Sequence, residues 1–255
     1  MRINHNIEAL NTHRNLLLNN TAAGKSMEKL SSGLRINRAG DDAAGLAVSE
    51  KMRGQIRGLE QAQRNTQDGI SFVQTAEGAM NEVSSMLSRL KELSVQKANG
   101  TYSATDKANI TAEMTQLGSQ IDSIINNTTF NGINITANVT IQTDDNAQSI
   151  LITGVSNAGL TGLNGATTLA NIETAITNAS TERAKLGAKQ NRLEYTSNNL
   201  GTTVENLTAS ESRIRDTDMA KEMVNLSKNQ ILLQSAQAML AQANSAPQGV
   251  LSLLR

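Results

Sequence analysis

The sequence predicts a mainly α fold: long antiparallel coiled-coil helices with a small β-hairpin region in the middle of the chain. Three observations predict it. Apolar residues recur at seven-residue spacing near both ends of the chain. Aromatic residues make up only 2% of the 255 positions, with no Trp, two Phe and two Tyr, which is little bulk for a wide globular core. From about residue 135 to about 180 the composition shifts to Thr, Asn and Gly with short alternating runs.

The N-terminal segment places Ile3, Ile7, Leu10 and Leu17 on one helical face, followed by Leu30 and Leu34. The stretch SSGLRINRAGDDAAGLAVSE, residues 31–50, then interrupts the pattern with three glycines, two arginines and two adjacent aspartates. Gly33, Gly40 and Gly45 supply backbone freedom, and Asp41 or Asp42 caps a helix that resumes at Ala43. Between 56 and 97 two rows interleave, Leu59, Thr66, Val73, Met80, Leu87 and Ala62, Gly69, Ala76, Val83, Leu90. They form the a/d seam of a helix about 65 Å long.

Ser103 with Asp106 offers a capping-box start for a third helix, in which Ile110, Met114, Leu117, Ile121 and Ile124 keep the helical period. That helix ends in NNTTFNGINI, where Asn131-Gly132 is a strong hairpin signal. VTIQT and SILIT, flanking DDNA, predict a β-hairpin with Val139 and Ile141 facing Ile150 and Ile152. The Asn-x-Ser/Thr sequences at Asn134 and Asn138 reflect the Asn-rich composition. Leu186, Leu193, Leu200, Leu207 and Ile214 form a last heptad row. The next row, Met219, Leu226, Leu233 and Leu240, begins five residues after Ile214 instead of seven. A five-residue step turns the stripe by roughly 140°, so the helix changes partner or bends between Arg215 and Asp218.

Chemistry finds little foothold in these residues. A net charge of zero gives no electrostatic reason to expect nucleic acid or an anionic membrane as partner. Without cysteine there are no disulfides or thiolate metal sites. No run approaches the length of a membrane span, and the start lacks an apolar signal core, which on its own predicts a cytoplasmic protein. Gly24-Lys25-Ser26 matches the tail of a P-loop, but Asn19 stands where its first glycine belongs and an amphipathic helix precedes it. His5 and His13 are about 12 Å apart along a helix and cannot share a metal. Neither Asp41-Asp42 nor Asp144-Asp145 has the alternating oxygen ligands of a calcium loop. The sequence therefore predicts no enzyme, no cofactor and no metal. What it does present is two chain ends, each apolar on one face, that order only when a partner covers them.

Several separated motifs carry a family resemblance: MRINHNIEALNTHRNL, SSGLRINRAGDDAAGLAVSEKMRGQIRGL, DGISFVQTAEGAMNEV, TTFNGINI, SRIRDTDMAKEMVNLSKNQILLQSAQAMLAQAN and VLSLLR. In this order they resemble bacterial flagellin over nearly all of residues 1–135 and 181–255. The middle departs from the many flagellins that carry large outer domains, since only about 45 residues stand there.

The resemblance implies helices in two tiers, called D0 and D1. Residues 1–42 and 214–255 would be the inner-core D0 helices, 43–135 and 181–213 the D1 rod, and 136–180 a short hairpin and loop insertion. It implies a secreted subunit of the extracellular flagellar filament, exported through the type III apparatus, which overrides the cytoplasmic expectation. The implied partners are other copies of itself, filament cap and hook-filament junction proteins, and an export chaperone.

Assembly would rest on Ile3, Ile7, Leu10, Leu17, Leu226, Leu233, Leu240, Leu251 and Leu254. Gly33, Arg35, Arg38, Gly40, Asp41, Asp42 and Gly45 would form the D0-D1 hinge, with Arg35 and Arg38 available to pair with neighbouring subunits. By the same resemblance Arg89, Leu93 and Glu113 match positions through which flagellins meet the animal receptor TLR5. Arg89 and Leu93 lie outside the two seam rows, which predicts exposed helix residues. Two other readings compete: a hook-filament junction protein, which shares the N-terminal pattern, and a nucleotide-binding protein resting on Gly24-Lys25-Ser26 alone.

Overall fold

The structure is a computed structural model that describes residues 6–145 and 148–253, the side chains of 247–253 excepted. Helix α1 (Ile7–Ser32) starts at Asn6, whose side chain accepts from the Ala9 N–H at 3.1 Å, and stops at Gly33, which takes φ 72°. The lack of a Cβ makes that left-handed stop inexpensive for glycine. Helix α2 (Ala43–Ala98) follows Asp42, whose carboxylate accepts from the Gly45 N–H at 2.8 Å. Helix α3 (Ala104–Asn127) carries the expected capping box of Ser103 and Asp106. Strands β1 (Thr129–Phe130) and β2 (Ile133–Asn134) are joined through Asn131 and Gly132 at φ 50° and 78°, the positive values a tight primed turn requires. Strands β3 (Val139–Gln142) and β4 (Ser149–Ile152) pair antiparallel, with Val139 opposite Ile152 and Ile141 opposite Ile150, the expected register. Helices α4 (Leu169–Arg215) and α5 (Met219–Leu253) complete the chain. The mainly α fold with a small β region is as the sequence predicts.

Two compact units divide the chain: Met1–Gly54 with Asn206–Arg255, and Gln55–Glu205. In the first, α1 runs antiparallel to α5. Asn6 Nδ2 donates to the Ala243 carbonyl at 2.7 Å at one end, and Leu34 forms a bridge with Asp216 at the other. Besides 22 and, near its end, 28–30, the more covered positions of α1 fall at 9, 12, 16, 19, 23 and 26, and those of α5 at 222, 226, 229, 233, 236, 240 and 243. This alternating three-and-four spacing is that of a coiled-coil seam.

In the second unit all ten predicted seam positions of α2 are buried, Thr66 included, whose hydroxyl donates to the Ala62 carbonyl at 2.8 Å. α3 and α4 both run antiparallel to α2, as the Arg89–Glu113 and Lys91–Glu173 ion pairs show near its end. With two helices and β3–β4 to cover, α2 buries more than a two-helix seam. Phe72 and Leu93 add a third row with Ala79 and Met86, and Phe72 meets Phe130 edge to face at 6.2 Å. The loop after β4 sends Val155, Leu160 and Leu163 into the same core.

One boundary differs from expectation. Residues 169–180, expected within the hairpin and loop insertion, are the first turns of α4, with Ile172, Ala175 and Ala179 buried. Their apolar period of three and four is present, but alanine and the surrounding Thr and Asn mask it.

Candidate functional site

The most conspicuous surface of the first unit is apolar. On α1 Ile7 and Leu10 are 61% and 66% exposed, and Leu17 and Leu18 are exposed with them. α1 meets α5 through Ala9, Thr12, Asn19, Ala23 and Ser26 with Leu16 half-covered among them, so the stripe of Ile7, Leu10, Leu17 and Leu18 points away from the seam. On α5 the expected row of Leu226, Leu233 and Leu240 lies half-covered in the seam. A second set, Met223, Val224, Ile231 and Met239, stands exposed. Four of the α5 residues, Met223, Val224, Ile231 and Leu232, line an open groove of about 460 Å³ rimmed by Ser227 and Lys228. Each such side chain contributes about 1.5–3 kcal/mol when covered. Contiguous exposed apolar patches of this kind mark interaction surfaces. Ile3 and Leu254 lie outside the described residues, as does the side chain of Leu251.

Every residue expected at the hinge falls within the first unit. Asp42 is the α2 cap. Asp41 instead accepts from the backbone N–H groups of Asn37 and Arg38, at 3.2 and 3.0 Å, closing the turn before it. Those donors, Arg38 first, hold the Asp41 carboxyl below its usual pKa, with Lys25 and Lys29 helping. At Gly45 a Cβ would sit 2.5 Å from Asp42 Oδ2 and 2.9 Å from Ile36 Cδ1, so only glycine lets the cap and the buried Ile36 close in together. Gly40 has open space around it.

The two arginines find partners within the chain. Arg38 Nε meets Glu28 Oε1 at 2.9 Å, and the Arg35 guanidinium donates to the Ile214 carbonyl. Sequence reading missed a nearby cluster: Arg53 Nε lies 3.0 Å from Glu211 Oε1, and Arg215 Nη1 lies 2.6 Å from Glu50 Oε1. Arg53 and Glu50 one turn apart near the start of α2, facing Glu211 and Arg215 on α4, were its only signal.

The three receptor-like positions separate. Arg89 reaches Glu113 Oε1 at 3.0 Å and Glu92 Oε2 at 3.1 Å, and these carboxylates, Glu113 first, hold its proton more firmly than usual. Leu93 is not the exposed residue expected: it is 1% exposed and belongs to the core. The third row of α2, invisible to a two-row seam, accounts for this. Gly24, Lys25 and Ser26 lie inside the unbroken α1 with Ser26 buried, so their backbone N–H groups form no open phosphate cradle. Among the described residues no group of three or more acidic, histidine or cysteine side chains is placed to hold a metal, and no helix is long and apolar enough to cross a membrane.

Two family models match, the bacterial flagellin N-terminal helical region over residues 3–140 and the bacterial flagellin C-terminal helical region over residues 169–254. Flagellin of Bacillus subtilis (strain 168) is 64% identical over 134 residues, 52% of this chain and 44% of its own length. Flagellin of Halalkalibacterium halodurans is 60% identical over 131 residues, 51% of this chain and 48% of its own. The flagellar filament 33 kDa core protein of Treponema phagedenis is 57% identical over 135 residues, 53% and 47%. The chain thus spans about half the length of the curated relatives it matches. Among solved structures, the crystal structure of Bacillus cereus flagellin superposes with a TM-score of 0.49 at 33% identity, covering 54% of this chain and 88% of that one. With both helical regions matched across most of its residues, the chain belongs to the bacterial flagellin family.

Proposed function

We propose that the chain is a structural subunit that polymerises with copies of itself into the helical flagellar filament used for motility, and that it works outside the cell after export. The observation that carries this is the outward apolar stripe on both α1 and α5, left over after the two helices have paired. The stripes are unlike surfaces. A contact between unlike surfaces whose rotation does not close builds an open helical polymer. Burial available only in the polymer also makes growth cooperative.

Filament cap, hook-filament junction and export chaperone proteins are the further partners this role calls for. Receptor recognition at TLR5 would use Arg89 and Glu113, with Leu93 beneath them as packing. Loss of receptor signalling in Arg89→Ala with Glu113→Ala tests that reading, and unchanged signalling ends it.

Electron microscopy of the full chain beside a form lacking residues 1–42 and 214–255 tests the main reading. The full chain should grow filaments after seeding, and the shortened one should remain a soluble helical monomer. Normal filaments from the shortened form would overturn the proposal.

A further inference from the structure

The break between α4 and α5 has no local cause of the usual kind. Only Asp216, Thr217 and Asp218 separate Arg215 from Met219, and none of them is glycine or proline, the residues that ordinarily end a helix. The helical pattern even continues one step past α4, since the Asp216 N–H donates to the Ser212 carbonyl at 2.8 Å. A start signal for α5 is present: the Asp218 side chain accepts from the Lys221 N–H at 3.1 Å. A stop signal for α4 is missing from the segment itself.

The stop comes from the other end of the chain. The Thr217 N–H, whose helical acceptor would be the Arg213 carbonyl, donates to the Gly33 carbonyl at 3.0 Å. Arg35 takes two of the carbonyls that a helix end leaves unpaired. Its backbone N–H donates to the Arg215 carbonyl at 2.7 Å, and its guanidinium donates to the Ile214 carbonyl through Nε at 3.1 Å and Nη2 at 2.6 Å. A cation at that position also answers the negative end of the helix dipole. The Arg53–Glu211 and Glu50–Arg215 pairs hold the last turns of α4 beside the start of α2.

We propose that residues 33–35 act as a helix C-cap supplied in trans, and that α4 and α5 run on as one helix whenever this segment is undocked. The five-residue step from Ile214 to Met219 gives the break a purpose. In a continuous helix the α5 row of Leu226, Leu233 and Leu240 would stand roughly 140° from the α4 row. Interrupting the helix frees α5 to turn that row onto α1, which leads directly into the capping residues. Docking of residues 33–35 and pairing of α1 with α5 are then one event: the N-terminal segment sets the direction of the C-terminal helix.

Carbon-13 Cα shifts and amide exchange at residues 216–218 of the full chain test this with two variants. Arg35→Pro removes the backbone donor and the guanidinium together, while Leu34, already extended in its bridge, tolerates a following proline. Asp218→Ala removes only the local start signal. Residues 216–218 should become helical and exchange-protected in Arg35→Pro and stay non-helical in Asp218→Ala. Non-helical shifts in a folded Arg35→Pro, or helical shifts in Asp218→Ala, would overturn the proposal. If Arg35→Pro leaves the first unit unfolded, Asp218→Ala decides alone: a retained break supports the trans cap, and a fused helix removes it.

Discussion

The same substitution, glycine to alanine inside a helix, should have opposite signs at two positions of the second unit. Gly118 is buried in α3, and a Cβ built on it would lie 1.7 Å from the Leu163 carbonyl oxygen and 2.7 Å from its carbon. An ordinary carbon–oxygen contact is about 3.3 Å, so the loop must retreat by about 1.5 Å or the helix must shift. Retreat strains the Gly162 N–H bond to Asp122 and the Gly165 N–H bond to Thr115 and lifts Leu160 and Leu163 from the core. Overpacking of this size costs about 1–3 kcal/mol, and the gain in helix propensity returns up to about 1 kcal/mol. Because the obstacle is backbone and not the end of a flexible side chain, the cost lies in the upper part of that range, and Gly118→Ala should destabilise by about 1–3 kcal/mol net.

Gly78 lies exposed in α2 with nothing within 4 Å of its added Cβ, so Gly78→Ala should stabilise by up to about 1 kcal/mol. Urea unfolding of the full chain followed by circular dichroism reads both, with the midpoint moving down for the first and up for the second at unchanged slope. A Gly118→Ala variant as stable as its parent would refute the close approach of this loop to α3.

The other expectations follow from caps, burial and assembly. Ser103→Ala removes the cap of α3 and should cost about 1 kcal/mol at neutral pH by urea unfolding. The Ser103 hydroxyl and then its N–H hold the Asp106 carboxyl below its usual pKa, so that stabilisation is complete above about pH 4 and is lost as pH falls through the lower folded value. The gap between parent and Ser103→Ala should narrow below about pH 4, and a gap that widens there would contradict the capping box. Leu93→Ala should cost about 2–5 kcal/mol, whereas Arg89→Ala should leave the midpoint nearly unchanged, and the reverse order would put Leu93 on the surface. Ile231→Ser, on the outward stripe of α5, should leave monomer unfolding within about 0.5 kcal/mol of the parent while raising the concentration needed for filament growth, measured by sedimentation. Unchanged growth would remove that stripe from the assembly surface.

Spacing made the rod legible. Ten seam positions of α2, the capping box at Ser103, the turn at Asn131-Gly132 and the hairpin register are each specified by residues close in sequence, and the slip in heptad phase after Ile214 marked the place of the last break without supplying its stop. What escaped depends on distant partners. Leu93 is buried because α2 has neighbours on two sides, which a heptad on one helix cannot report. Residues 169–180 hid their helix behind alanine. The bonds from Arg35 to Ile214 and Arg215 join positions about 180 apart, and no pattern local to either predicts them.

The apolar stripes of α1 and α5 show why the assembly surface was only half legible. A helix with one apolar stripe announces which side goes inward. These helices carry two. The structure settles the choice: α1 turns Ala9, Thr12, Asn19, Ala23 and Ser26, short side chains apart from the accompanying Leu16, toward α5 and leaves Ile7, Leu10, Leu17 and Leu18 outside. Covering those four could contribute about 6–12 kcal/mol as an upper bound. Fixing one subunit costs about 4–15 kcal/mol. On these magnitudes a pairwise contact through the α1 stripe is marginal, and only simultaneous burial of the α1 and α5 stripes against several neighbours clears the cost. On the proposed role, a monomer would keep both stripes exposed and remain dispersed, while a filament end, which offers several neighbours at once, would capture it. In that role, the division of each terminal helix into a seam that pairs α1 with α5 and an outer apolar stripe left exposed is thus what separates folding of the subunit from its assembly.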